Sequence, residues 1–194
     1  MRAYNTLPDD YSEIFSVDLQ KDKKMMILIN VIAVLIAVVL AVPMHFHISI
    51  VTLFDMSHGL GAYAVRFIAL LVLIIVYMVL HELVHGIAMK LCGTKKVRYG
   101  FTGMYAFAGS DDCYDKKSYI FVALAPVVLW GVVIAIVNAV IPAEWFWVLY
   151  IIQITNLSGA AGDLYVTFKF SKFPKDILVR DSGVSMRVYS KEDI

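Results

Sequence analysis

Residues 67–89 read Phe67-Ile-Ala-Leu-Leu-Val-Leu-Ile-Ile-Val-Tyr-Met-Val-Leu-His-Glu-Leu-Val-His-Gly-Ile-Ala-Met89 and are the strongest indication of the class of this protein. A helix needs about 20 mostly apolar residues to cross a hydrocarbon core about 30 Å thick. The stretch is longer than that, and its one formal charge is on Glu82. Because burying a carboxylate in a bilayer is costly, ionisable residues there usually have a function. The sequence therefore predicts a membrane helix with a functional site near one end.

The composition of the whole chain also indicates a membrane protein. Its residues are 60% hydrophobic and 17% charged, with a mean hydropathy of +0.75. Soluble domains are typically about 45–50% apolar. The formal net charge is +1, whereas a nucleic-acid-binding domain needs a concentrated basic face. We therefore expect a lipid bilayer as a partner and no nucleic acid.

Four apolar segments are long enough to be membrane helices, at about residues 25–43, 63–92, 119–141 and 145–168. They predict an all-α membrane protein with four transmembrane helices. The predicted organisation is an N-terminal segment (1–24), a transmembrane domain (25–168) and a C-terminal tail (169–194). Residues 97–109 are apolar and aromatic but too short to span. They form either a re-entrant hairpin, satisfied by protein or water, or a loop at the membrane surface.

The basic residues predict the orientation of the chain, because Lys and Arg accumulate in short cytoplasmic loops. If both termini are cytosolic, every Lys and Arg except Arg66 lies on the cytosolic side of the predicted spans. We therefore expect a multi-pass protein of the cell membrane with both termini in the cytosol.

The motif His81-Glu82-Leu83-Val84-His85 has the spacing of a zinc site. Residues four apart share one face of a helix, so both imidazoles can reach one metal ion while Glu82 reaches the water bound to it. A purely structural alternative is that His81 and Glu82 form hydrogen bonds to neighbouring helices, or that the span ends at Leu80. The cost of the intramembrane carboxylate favours the metal site.

A third ligand is needed, because catalytic zinc sites usually have three protein ligands and one open position. Asp163 is the only acidic residue inside the other predicted spans. With a helical rise of about 1.5 Å per residue, Asp163 and His81 lie at similar depths near the cytosolic face. Gly159 and Gly162 would loosen the helix there. The alternative is a carboxylate that simply surfaces at the end of a helix.

These residues resemble the site-2 protease class of intramembrane metalloproteases. In that class an HExxH helix is combined with a later helix that carries an Asn-rich, Asp-Gly-containing motif. The matching positions are His81, Glu82, His85, Asn156 and Asp163. The chain is more closely similar to an uncharacterised bacterial family of zincin peptidases, from Leu7 to Asp181. It departs from the site-2 pattern in lacking the prolines of the second motif and in having Leu164 after the aspartate.

The resemblance implies a bacterial source and a three-helix catalytic core, formed by the second to fourth spans and open to the cytosol. The hypothesis is a zinc-dependent endopeptidase that cleaves membrane polypeptides near the cytosolic face. One zinc ion held by His81, His85 and Asp163 lowers the pKa of its water to about 7, and Glu82 removes the proton. Asn156 either donates a hydrogen bond to substrate or oxyanion or forms a bond between helices.

Two other functions are compatible with the same residues. A metal-binding membrane scaffold or chaperone would hold zinc without hydrolysis. A metal transporter would need polar residues along the rest of the second span, where 69–80 offers only Tyr77. The sequence therefore favours the peptidase over the scaffold, and the scaffold over the transporter.

Overall fold

A computed structural model describes residues 2–18, 21–103 and 105–191. The α-helices among them are α1 (Lys23–His47), α2 (Leu60–Leu91), α3 (Lys116–Val140), α4 (Phe146–Gly159) and α5 (Ala161–Ser171). The β-strands are β1 (Ala3–Tyr4), β2 (Ser12–Asp18), β3 (Arg98–Phe101), β4 (Ala106–Gly109), β5 (Cys113–Asp115), β6 (Leu178–Asp181) and β7 (Ser185–Ser190). Two short 3₁₀ helices span Ile50–Phe54 and Ala143–Trp145.

Three helices among the described residues, α1, α2 and α3, are long and apolar enough to cross a membrane. They overlap the predicted spans 25–43, 63–92 and 119–141. Large apolar side chains remain exposed along them, such as Val39 at 68% and Ile136 at 62%. Soluble monomers rarely expose large contiguous apolar patches. The three helices are therefore compatible with membrane association.

Local contacts fix the end of α2 and the start of α3. After α2, Gly93 has a φ of +106°, which glycine adopts without a steric penalty. The backbone N–H of Thr94 then donates to the carbonyl of Met89, which closes the helix end. At the start of α3, the Asp115 carboxylate accepts a 2.8 Å hydrogen bond from the backbone N–H of Ser118.

The predicted span 145–168 is not one helix in the structure. Helix α4 ends at Gly159, Ala160 follows as its cap with a ψ of 18°, and α5 begins at Ala161. Glycine is less favourable than alanine in a helix interior, and Gly159 and Gly162 lie on either side of the break. The new helix start places Asp163 in the first turn of α5, where a negative charge is favourable.

The prediction of an all-α fold is wrong, because the protein is a mixed α and β structure. The strands come from the predicted terminal segments and from the region between the second and third predicted spans, where the alternatives for 97–109 were a hairpin and a surface loop. β1 and β2 lie in the N-terminal segment, and β6 and β7 lie in the C-terminal tail. The 97–109 segment contributes the β3–β4 hairpin, and β5 follows it. These strands are short, so the alternation of apolar and polar residues in them is a weaker signal than the long apolar runs of the helices.

The strands form two antiparallel sheets. The larger one has the order β1-β5-β6-β7-β2, and β3 pairs with β4 in the smaller one. Residue pairs such as Tyr114 with Val179, and Val179 with Val188, align the middle of the larger sheet. Segments that are distant in the sequence are thus joined by backbone hydrogen bonds.

The chain divides into two compact units. The first contains the described residues up to Ile29, then His81–Pro126, and the described residues from Gly162 onward. Its core packs α2, α3 and α5 against the larger sheet, through buried side chains that include Met89, Tyr119, Phe170 and Val179. All the predicted metal ligands belong to this unit.

The second unit contains Asn30–Leu80 and Val127–Ala161. Its core includes Leu70, Ile134, Trp147 and Ile152. The indole N–H of Trp147 donates a 3.0 Å hydrogen bond to the carbonyl of Ile48.

Candidate metal centre

His81 and His85 lie one helical turn apart on α2. Their ring centroids are 4.8 Å apart and the rings meet edge to face. Each residue is only 8% exposed. The i, i+4 spacing therefore places two imidazoles side by side on one buried face of the helix.

Asp163 approaches both histidines from α5. Its Oδ2 atom lies 3.7 Å from Nε2 of His81 and 3.6 Å from Nε2 of His85. The three potential ligand atoms all lie within 4.8 Å of one another. Two segments that are far apart in the sequence thus bring together three side chains that could hold a metal ion.

These three residues fit a zinc ion. Two imidazole nitrogens and one carboxylate oxygen form a usual donor set for catalytic zinc, and ligands of a tetrahedral zinc lie about 3.4 Å from one another. The distances from Asp163 to the two histidines are close to that value. The second ring nitrogen of His85, Nδ1, lies 2.9 Å from the carbonyl oxygen of Val122, and such contacts orient metal-binding histidines.

Glu82 is partly buried beside this cluster. The backbone of Ala108, on β4, is near enough to its carboxylate to interact with it electrostatically. Ala108 pairs with Tyr99 in the β3–β4 hairpin. The hairpin therefore lies near the residue that the sequence predicts to be the general base.

Three glycines allow close packing around the hairpin. A side chain at Gly86 would collide with the hydroxyl end of Tyr99, so the tyrosine ring rests on α2 next to His85. A side chain at Gly109 would collide with the backbone of Ser182, and one at Gly183 would collide with the Phe107 ring. The hairpin is thus packed between α2 and the turn that joins β6 to β7.

Asp181 ends strand β6, next to this turn. Its carboxylate accepts hydrogen bonds from the Tyr119 hydroxyl at 2.7 Å and from the Gly183 backbone N–H at 2.8 Å. Burial raises the pKa of this carboxyl above its usual value. The sequence predicted no role for Asp181, although the Ser182-Gly183 pair that follows it is a recognisable turn signal.

Asn156 has partners of a different kind. It is fully buried, its Oδ1 accepts a 2.8 Å hydrogen bond from the Tyr77 hydroxyl, and its Nδ2 donates to the carbonyl of Val127 at 3.1 Å. These bonds join α4 to α2 and α3 within the second unit. Of the two roles considered for Asn156, its contacts match a bond between helices.

Residues 74–178 match the family described as "Putative zincin peptidase". The chain belongs to this family. The matched region of the zincin peptidase family includes His81, Glu82, His85, Asn156 and Asp163. This confirms the predicted relationship to zincin peptidases and supports a zinc metallopeptidase.

Further similarity is limited to part of the chain. A protein from Pyrococcus woesei, described as "Uncharacterized 24.7 kDa protein in gap 5'region", is 29% identical over 119 residues. The matched region covers 59% of this chain and 51% of that protein. The chain therefore aligns with about half the length of this relative. No solved structure is significantly similar to the chain.

Proposed function

We propose that this protein is a zinc-dependent endopeptidase with a site-2 protease-like centre, which cleaves membrane polypeptides near the cytosolic face of the cell membrane. The observation that carries the proposal is the convergence of His81 Nε2, His85 Nε2 and Asp163 Oδ2 beside Glu82. Membership of the zincin peptidase family supports the same chemistry.

Four residues have distinct roles at this centre. His81, His85 and Asp163 hold the metal, which when bound supplies Lewis acidity and lowers the pKa of water. Glu82 accepts the proton of the attacking water and passes it to the leaving amine. Burial of the two histidines and partial burial of Glu82 limit competing water around the reacting groups.

The β3–β4 hairpin is the part of the protein suited to hold an extended substrate. It lies against α2 through Tyr99 and approaches Glu82 through Ala108. Tyr99 and Phe101 on β3 are 48% and 62% exposed. Because a peptide can pair with an exposed strand through main-chain hydrogen bonds, a polypeptide strand added to this hairpin would lie beside the general base.

The substrate class follows from the helices that surround the motif. His81 and Glu82 lie within α2, one of the three apolar helices long enough to span a bilayer. The concentration of Lys and Arg outside the predicted spans supports a multi-pass arrangement with cytosolic termini. A membrane polypeptide, unwound near the cytosolic face, is therefore the substrate that can reach this centre.

The test compares wild type with Glu82→Gln, which keeps the size of the side chain and removes its basicity. Glu144→Gln is the matched control, because Glu144 is an exposed glutamate in a 3₁₀ helix. Each protein is expressed in the same cells, and new peptide N-termini in membrane proteins are identified by mass spectrometry. Zinc content is measured on each purified protein.

We expect Glu82→Gln to retain zinc and to lose the N-termini that wild type and Glu144→Gln generate. Equal cleavage by Glu82→Gln would rule out Glu82 as general base. Wild-type protein that holds zinc and generates no new N-terminus would instead be the non-catalytic metal-binding scaffold.

A further inference from the structure

Helix α3 contains a proline near its middle. In an uninterrupted α-helix the carbonyl of each residue accepts the N–H of the residue four positions later. For Val122 that later residue is Pro126, which has no N–H. The helix nevertheless continues from Lys116 to Val140. The Val122 carbonyl therefore lacks its ordinary helical donor.

A side chain from another helix supplies the missing donor. Nδ1 of His85 lies 2.9 Å from the carbonyl oxygen of Val122, in a buried contact. A carbonyl oxygen can only accept a hydrogen bond, so Nδ1 must carry the proton. In the neutral ring, the lone pair is then on Nε2. This is the atom that lies 3.6 Å from the Asp163 carboxylate in the cluster of potential ligands.

We propose that Pro126 is a positioning residue of the metal centre: by leaving the Val122 carbonyl without a helical donor, it selects the His85 tautomer whose Nε2 can bind metal. Pro126 is itself buried, so its ring also helps to pack α3 near the contact between His85 and Val122. Proline is the least favourable residue in a helix interior. The contact with His85 gives a reason for its presence there.

The proposed role of Pro126 differs from a general effect of proline on helix shape. A kink alone would change the packing of α3 and would leave the tautomer of His85 unchanged. In the proposed role, the tautomer of His85 depends on whether residue 126 has a backbone N–H. The position of the proton on His85 is therefore the measurement that separates the two explanations.

The experiment uses Pro126→Ala, which restores the backbone N–H to the helix. Pro43→Ala is the matched control, because Pro43 also lies inside a helix, α1, and frees a carbonyl at Val39 instead. Both full-length variants and wild type are labelled with ¹⁵N-histidine in detergent micelles. The His85 signals are identified by their loss in His85→Asn.

In metal-free wild type and Pro43→Ala, measured at a pH high enough for the His85 ring to be neutral, we expect its proton to be on Nδ1. In Pro126→Ala, the restored N–H competes for the Val122 carbonyl, so the ring shifts toward the Nε2–H form. Zinc affinity, measured by competition with a chelator, should fall about tenfold or more in Pro126→Ala only. The unfolding midpoint should stay equal or rise, because alanine is a better helix former.

An unchanged His85 tautomer in folded Pro126→Ala would overturn the inference. An equal loss of zinc affinity in Pro43→Ala would overturn it as well, because the effect would not be specific to α3. The inference rests on the proposed metal centre, but different results would refute the two proposals. Wild type that binds no zinc would refute the proposed function, and the tautomer of the metal-free protein would still decide the role of Pro126.

Discussion

The hydroxyl of Tyr77 donates a 2.8 Å hydrogen bond to the side-chain oxygen of Asn156, and both residues are buried. Asn156→Ala leaves the Tyr77 hydroxyl and the Val127 carbonyl without this partner. We expect it to lower the free energy of unfolding by about 1–3 kcal/mol. Tyr77→Phe, which removes one bond, should cost about 1 kcal/mol. Thermal unfolding of the two single variants and the double variant measures their coupling, and strictly additive losses would contradict the bond.

Replacing Asp163 tests the third metal ligand. Asp163→Asn keeps the shape of the side chain and removes its charge, so zinc affinity should fall by more than the roughly 10–100-fold that changes outside the ligand set produce. Asp111→Asn is the control, because this carboxylate is 79% exposed and pairs with Arg98. Zinc per protein is measured after dialysis against a chelator. Full zinc content in Asp163→Asn and Asp163→Ala would exclude Asp163 as a ligand.

Gly109→Ala should disrupt the junction between the hairpin and the larger sheet. Its new methyl group would meet the backbone of Ser182, and backbone can relieve such a collision only by moving. We expect a loss of about 1–3 kcal/mol of stability. Gly162→Ala meets nothing within 4 Å inside α5, so it should add about 0.5–1 kcal/mol. Unfolding midpoints that move in the same direction in both variants would contradict this packing.

Gly86→Ala should affect substrate handling more than metal binding. The added methyl group takes the space of the Tyr99 hydroxyl, so the hairpin must shift beside Glu82. We expect kcat/KM for a polypeptide substrate to fall about tenfold or more, with unchanged zinc content. If Tyr99 is the cause, Gly86→Ala has little further effect in a Tyr99→Ala background. Equal effects of Gly86→Ala in both backgrounds would point to another cause.

Asp181 should make stability depend on pH. Burial raises the pKa of its carboxyl in the folded protein, so folding favours the protonated form. This contribution is complete below the unfolded pKa of about 3.9 and is lost as the pH rises through the folded pKa. The stability of wild type relative to Asp181→Asn should therefore fall as the pH increases from about 4. A constant or rising difference in unfolding free energy would contradict the shifted pKa.

The candidate site could be predicted from sequence because its chemistry depends on side chains that can be recognised by residue type. His81, Glu82 and His85 are recognisable from their spacing, and Asp163 stands out as an acid in apolar surroundings. The structure places Asp163 beside both histidines, and metal binding by these residues remains a prediction. The contacts of Ala108 and Val122 could not be predicted in the same way, because both act through backbone atoms and not through their side chains.

The fold was harder to predict than the site. Long apolar runs indicate α1, α2 and α3 directly, because their length alone meets the requirement for a membrane helix. β5 and β6 have three and four residues, and so little sequence gives almost no periodic signal. The stability of β5 depends on pairing with distant segments, β1 and β6, and pairing between distant segments has no local signature.

The pairing of β2 with β7 sets the order of events during synthesis on the ribosome. Ser12 pairs with Ser190, and Asp18 pairs with Ser185. During synthesis, β2 therefore cannot pair with β7 until the intervening residues have been made. At about 5–20 residues per second, the wait is on the order of ten seconds. The nascent chain acquires His81 and His85 well before Asp163 and β7. The three potential metal ligands are therefore complete only once Asp163 has been made, and the larger sheet is complete only once β7 has been made.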